Sequence, residues 1–123
     1  IESLVARTLA SSRALAVQRS YSPSLDLGVH VYSHIVMFKL KDPDDIPQTV
    51  GTLRAMEGRI PQLRYIEVGV DDAPSPRSCD IVLITRFDSP EALSVYQTHP
   101  HHQQVLEFLS EVVESAVKVD YAG

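Results

Sequence analysis

The sequence predicts an α+β fold: a four-stranded antiparallel sheet with helices packed on one face. Three observations carry this reading. Four stretches alternate their side chains with a period of two, proline-marked helix starts lie between them, and the resulting order is β-α-β-β-α-α-β. A compact chain resolves that order as a single antiparallel sheet with its helices gathered on one side.

The first strand spans Val29 to Lys41, with His34, Val36, Phe38 and Leu40 on one side and Ile35, Met37 and Lys39 on the other. Both sides are largely apolar, so both must be covered. Asp42-Pro43 opens a helix that carries Ile46, Val50, Leu53 and Met56 at helical spacing and stops at Gly58. Pro47 falls near its first turn, where it is tolerated, and Asp42, Asp44 and Asp45 suit the positive end of the helix dipole. Leu63 to Val70 forms the second strand, with Ile66, Val68 and Val70 on one side, and ends at the breaker-rich Asp71-Asp72-Ala73-Pro74-Ser75-Pro76. Cys79 to Phe87 is the third strand, again apolar on both faces. Ser89-Pro90-Glu91 supplies the cap, first residue and acidic first turn of a short helix whose inner side is Ala92, Leu93 and Tyr96. Pro100 then fits the first turn of a further helix capped by Thr98 or His99. Along it His102, Val105, Leu106, Leu109, Val112 and Val113 recur every three or four residues, while His101, Gln104, Glu107, Glu111 and Glu114 fall mainly opposite. Ala116 to Tyr121 closes the fold as the fourth strand.

Helices on one face leave the other bare. Ile35, Met37 and one apolar set from each neighbouring strand would make a patch too large for a solitary soluble domain. The expected partner is a second copy of the chain, joined through the open sheet faces with two-fold symmetry.

The 123 residues suffice for one domain, read here as an N-terminal extension over residues 1–30 and a folded domain over 31–123. Residues 1–25 hold Arg7, Arg13 and Arg19 against Glu2 alone, so the acidic balance belongs to the rest of the chain. Read as a helix packed on the domain, this segment leaves a cytoplasmic protein; read as an Arg- and Ser-rich transit segment, it sends the chain to an organelle. A net charge of -5 without a basic patch argues against nucleic acid and against an anionic membrane surface as partners. No apolar run approaches the roughly 18 residues of a membrane span. The single cysteine, Cys79, excludes an internal disulfide and fits a reducing compartment.

Chemistry concentrates in Tyr96-Gln97-Thr98-His99-Pro100-His101-His102, which sets a tyrosine and three histidines around a helix-to-helix corner. Tyr96 and His102 belong to the inward stripes of their helices and would face one another. A neutral imidazole at His102 could accept an acidic proton next to a carbonyl, and the Tyr96 hydroxyl could donate to the oxygen that gains charge. His34 and Phe38, beneath the helices, and His99 at the corner are the expected ligand-contacting residues. The structural reading stands beside this one: buried histidines satisfy backbone carbonyls, and tyrosines pack by their rings. No metal site is expected, because His101 and His102 are adjacent and diverge by roughly 100° instead of standing four residues apart. Cys79 has no histidine partner in any nucleophile signature, and no glycine-rich phosphate loop occurs, so no cofactor is implied.

In their order and spacing, Ser33-His34-Ile35-Val36-Met37-Phe38-Lys39-Leu40-Lys41, Ile60-Pro61-Gln62-Leu63 leading to Glu67-Val68-Gly69, Phe87-Asp88-Ser89, Tyr96 through His102, and Val119-Asp120-Tyr121 resemble the stress-responsive A/B barrel (Dabb) family of the dimeric α+β barrel superfamily. The resemblance implies a ferredoxin-like subunit and a dimer closed sheet against sheet. It further implies a small hydrophobic ligand held between sheet and helices. Some plant members close rings on linear polyketides by an aldol-type step, and their tyrosine and histidine match Tyr96 and His102, with His34 in support. A polyketide cyclase-like lyase is therefore one alternative, and a cofactor-free monooxygenase a second.

Overall fold

The computed structural model describes residues 31–123; the expected N-terminal extension, residues 1–30, lies outside the described residues. Strand β1 (Tyr32–Leu40) runs through the middle of the sheet, and helix α1 (Ile46–Arg54) follows it. Strands β2 (Tyr65–Val70) and β3 (Ile81–Phe87) form a hairpin. Helices α2 (Pro90–Thr98) and α3 (Pro100–Val112) then lead into β4 (Val113–Ala122). The strand order is β2-β3-β1-β4. Every neighbouring pair is antiparallel, as the sequence predicts.

Alternation decides which face is buried. His34, Val36, Phe38 and Leu40 of β1 and Ile81, Leu83, Thr85 and Phe87 of β3 lie under the helices, where Leu53, Leu93, Tyr96, Val105 and Leu109 complete the core. The opposite parity forms the bare face. Register places Ile35 between Ile84 and Val119, and Met37 between Val82 and Val117, with Tyr65 and Tyr121 at the two edges. Met37, Val119, Tyr65 and Tyr121 are each more than two-fifths exposed, which is the apolar surface that the sequence required to be left uncovered.

Three local differences have physical causes. The first helix does not start at Asp42: Pro43–Asp45 form a 3-10 turn, Asp42 accepts from the Asp44 N–H, and the Ile46 N–H bonds to the Pro43 carbonyl. Pro47 has no N–H to give that carbonyl, so the α-helical ladder cannot extend backward past Ile46. The same helix ends at Arg54, and Met56 is fully buried in the turn that follows; Gly58, at φ +79°, takes the left-handed conformation only glycine adopts without strain. Finally, β4 starts at Val113 rather than Ala116, because α3 passes into the strand without a loop: Val113 is already extended (φ -90°, ψ 130°) and pairs with Leu40.

Candidate functional site

Tyr96 and His102 meet because one residue ends a helix and starts the next. His99 is extended (φ -64°, ψ 140°); its N–H closes α2 on the Tyr96 carbonyl, and its Nδ1 accepts from the His101 N–H at 3.0 Å to cap α3. Pro100, at the first position of α3, needs no donor there. The corner sets the Tyr96 and His102 rings 4.4 Å apart between centroids at 51°, and the Phe87 ring lies 4.8 Å from Tyr96, tilted by 55°. Tyr96 is fully buried, and its hydroxyl donates to the Met56 sulfur at 3.6 Å.

His102 is 5% exposed. Its Nδ1 lies 3.0 Å from the Gln97 carbonyl, which also accepts from Gln103 Nε2 at 2.7 Å. A carbonyl only accepts, so His102 Nδ1 carries the proton and Nε2 keeps its lone pair. Burial pushes the imidazole down to about 4, and the neighbouring His34, His101 and His99 act in the same direction against the smaller upward pull of the Gln97 bond. His102 is therefore neutral across the cellular pH range.

His34 is fixed differently. The β1–β4 register brings it opposite Asp120, whose Oδ1 accepts from His34 Nδ1 at 2.5 Å, while Lys118 Nζ donates to Asp120 Oδ2 at 2.5 Å. All three side chains are at most 13% exposed. Burial would raise the Asp120 carboxyl, but the hydrogen bonds from His34 and Lys118, with the Lys118 charge beside it, outweigh it and hold it below the usual carboxylate range. Asp120 and Lys118 are site neighbours that the sequence reading did not single out. The signal was present in the alternation of β4, where they take the inward parity while Val117, Val119 and Tyr121 point to the bare face.

His34, Phe38, Tyr96 and His102 border one cavity, walled otherwise by Val36, Leu53, Met56, Leu83, Val105, Leu106 and Leu109. Its volume of about 20 Å³ holds roughly one water molecule. Leu106 alone among these walls is not fully buried. His99, expected among the ligand contacts, does not border the cavity, because its ring is spent on the cap of α3. Among the described residues no group of three or more histidine, cysteine, aspartate or glutamate side chains is arranged to hold a metal ion, and no helix is long and apolar enough to cross a membrane.

Comparison with known proteins identifies the family and the fold to which this arrangement of sheet and helices belongs. The profile of the stress responsive A/B barrel domain family matches residues 33–122, and the chain belongs to that family. The uncharacterized protein SCO4036 of Streptomyces coelicolor is 35% identical over 75 residues, covering 57% of this chain and 77% of that one. A protein of unknown function from Bacteroides fragilis, described as dimeric with a ferredoxin-like fold, superposes with a TM-score of 0.61 at 31% identity, over 76% of this chain and 96% of its own. The hydroxynitrile lyase of Passiflora edulis superposes with a TM-score of 0.68 over 77% of this chain and 94% of its own; at 16% identity it shows the shared fold alone. The subunit is thus ferredoxin-like, as the resemblance implied.

Proposed function

We propose that this chain works as a homodimer that binds a small, mostly apolar molecule in the cavity between sheet and helices. The observation that carries the reading is the composition of the cavity wall: eight aliphatic, thioether or phenyl side chains surround three rings that can hydrogen-bond, Tyr96, His34 and His102. The cavity admits only about one water, so a larger ligand needs its wall side chains to move, among them the unbranched, adaptable Met56. A reducing, cytoplasmic setting suits the single, half-buried cysteine. The description of the Bacteroides protein as dimeric supports the two-fold assembly.

A second reading, a polyketide cyclase-like lyase acting by acid–base chemistry on a carbonyl compound, is favoured by one further observation. Each histidine in the cavity has its tautomer fixed by an acceptor at Nδ1, which leaves both Nε2 lone pairs for a ligand. A thermal-shift screen of small carbonyl compounds tests both readings. Stabilising compounds are expected, and their effect should shrink at least about tenfold in apparent affinity in His102→Gln, which loses a hydrogen-bonding ring from the wall. A screen with no stabilising compound, or one unaffected by that substitution, contradicts the assignment.

A further inference from the structure

We propose that His34, oriented by Asp120 and Lys118, is the group of the site that takes up a proton, and that His102 is a neutral hydrogen-bonding contact for the ligand. The inference rests on the lyase reading above and deepens it. The sequence suggested the opposite division, with the base at His102.

The two imidazoles differ in what stands behind them. A cation formed at His34 lies 2.5 Å from an ionised carboxylate, whereas one formed at His102 lies against a neutral carbonyl in a site that already disfavours its charged form. The groups around His34 are Asp120 and Lys118 from β4, Tyr32 on the same side of β1, Tyr96 from α2 and His102 from α3. Tyr32 is itself held protonated, by burial first and by Asp120 second, so it does not compete as a base. Asp120 is the only anion of this group.

The chemical step balances within the site. The C–H bond next to the ligand's carbonyl breaks, its proton forms the Nε2–H bond of His34, and the electron pair moves to the carbonyl oxygen. The resulting enolate oxygen accepts from the Tyr96 hydroxyl, whose thioether acceptor, Met56, is a weak one. Return of the proton from His34 restores the ketone.

Lys118 makes the role of Asp120 testable. Its ammonium can only donate, so in Asp120→Asn it must hold the amide oxygen, which turns the amide NH2 toward His34. His34 Nδ1 then has to accept, and the proton moves to Nε2, removing the lone pair from the cavity. Asp120 and Lys118 are positioning residues in this scheme.

The experiment combines nitrogen-15 NMR of the histidine rings with deuterium uptake at the α-carbons of cyclohexanone in heavy water. The wild type should show His34 as the Nδ1–H tautomer, and Asp120→Asn should show it as Nε2–H in an otherwise unchanged spectrum. Exchange by the wild type should fall about a hundredfold in His34→Gln, and similarly in kcat but not KM in Asp120→Asn. His102→Gln should chiefly raise KM. An unaltered His34 tautomer in Asp120→Asn overturns the inference, as does exchange that survives His34→Gln while kcat is lost in His102→Gln. A wild type that exchanges no deuterium overturns the lyase reading itself, a result distinct from either.

Discussion

At the scale of single residues, His102 couples the site to the stability of the fold. Its folded value of about 4 lies below the ordinary 6.5, so the unfolded chain binds the proton more readily. The stabilisation from keeping this ring neutral is complete above pH 6.5 and is lost as pH falls toward 4, a total of about 3 kcal/mol. Asp120, held low, adds stability that is present above the usual carboxylate range and disappears only as pH drops through its lowered value. Urea midpoints measured from pH 7 to pH 4 should therefore fall steadily in the wild type, and the fall should flatten in His102→Gln. Tyr96 offers a contrast between ring and hydroxyl. Tyr96→Ala should cost about 3–5 kcal/mol, because a fully buried ring in contact with Phe87 and His102 is lost. Tyr96→Phe should cost within about 1 kcal/mol, since the hydroxyl's bond to the Met56 sulfur is weak. Chemical denaturation of the two variants checks both values.

At the scale of elements, the site is assembled by two kinds of information, and only one is local. The meeting of Tyr96 with His102 was legible because caps, prolines and three-to-four-residue spacing act within a few positions along the chain. The pairing of His34 with Asp120 spans 86 positions and depends on the β1–β4 register, which no local pattern specifies. The same limit explains the start of β4, set by a ladder partner at Leu40, whereas the start of α1 turns on a local feature, the missing N–H at Pro47, which the sequence reading took only as tolerated. His99 was read both as a cap and as a ligand contact, and only the cap geometry is on the structure. Among the elements, α3 supplies Leu106, the least buried wall of the cavity. Leu106→Ala should thin that wall and speed ligand entry, whereas Leu106→Trp should slow it, with stopped-flow binding of a stabilising compound as the measurement. The corner is also anchored from α2: Ser89 Oγ accepts from the Ala92 N–H at 3.0 Å, so Ser89→Ala should lower stability by about 1 kcal/mol, read by thermal unfolding.

At the scale of the whole molecule, the sheet has two faces with different tasks. One is sealed beneath the helices around the cavity; the other carries Ile35, Ile84, Val82, Met37, Val117 and Val119 toward whatever covers it. Ile84→Arg, in the middle of that bare face, should turn the proposed dimer into a monomer by light scattering at micromolar concentration without unfolding the subunit, because the substituted side chain is not in the core. A wild type that is already monomeric would remove the two-fold assembly. The central claim, that the ligand enters beneath the helices, is tested most directly by titrating isotopically labelled protein with cyclohexanone and following ring resonances by NMR. The signals of His34, Tyr96 and His102 should move and saturate together while those of Tyr65 and Tyr121 stay still. Saturable shifts of the two outer tyrosines, with the three cavity rings unmoved, would contradict it.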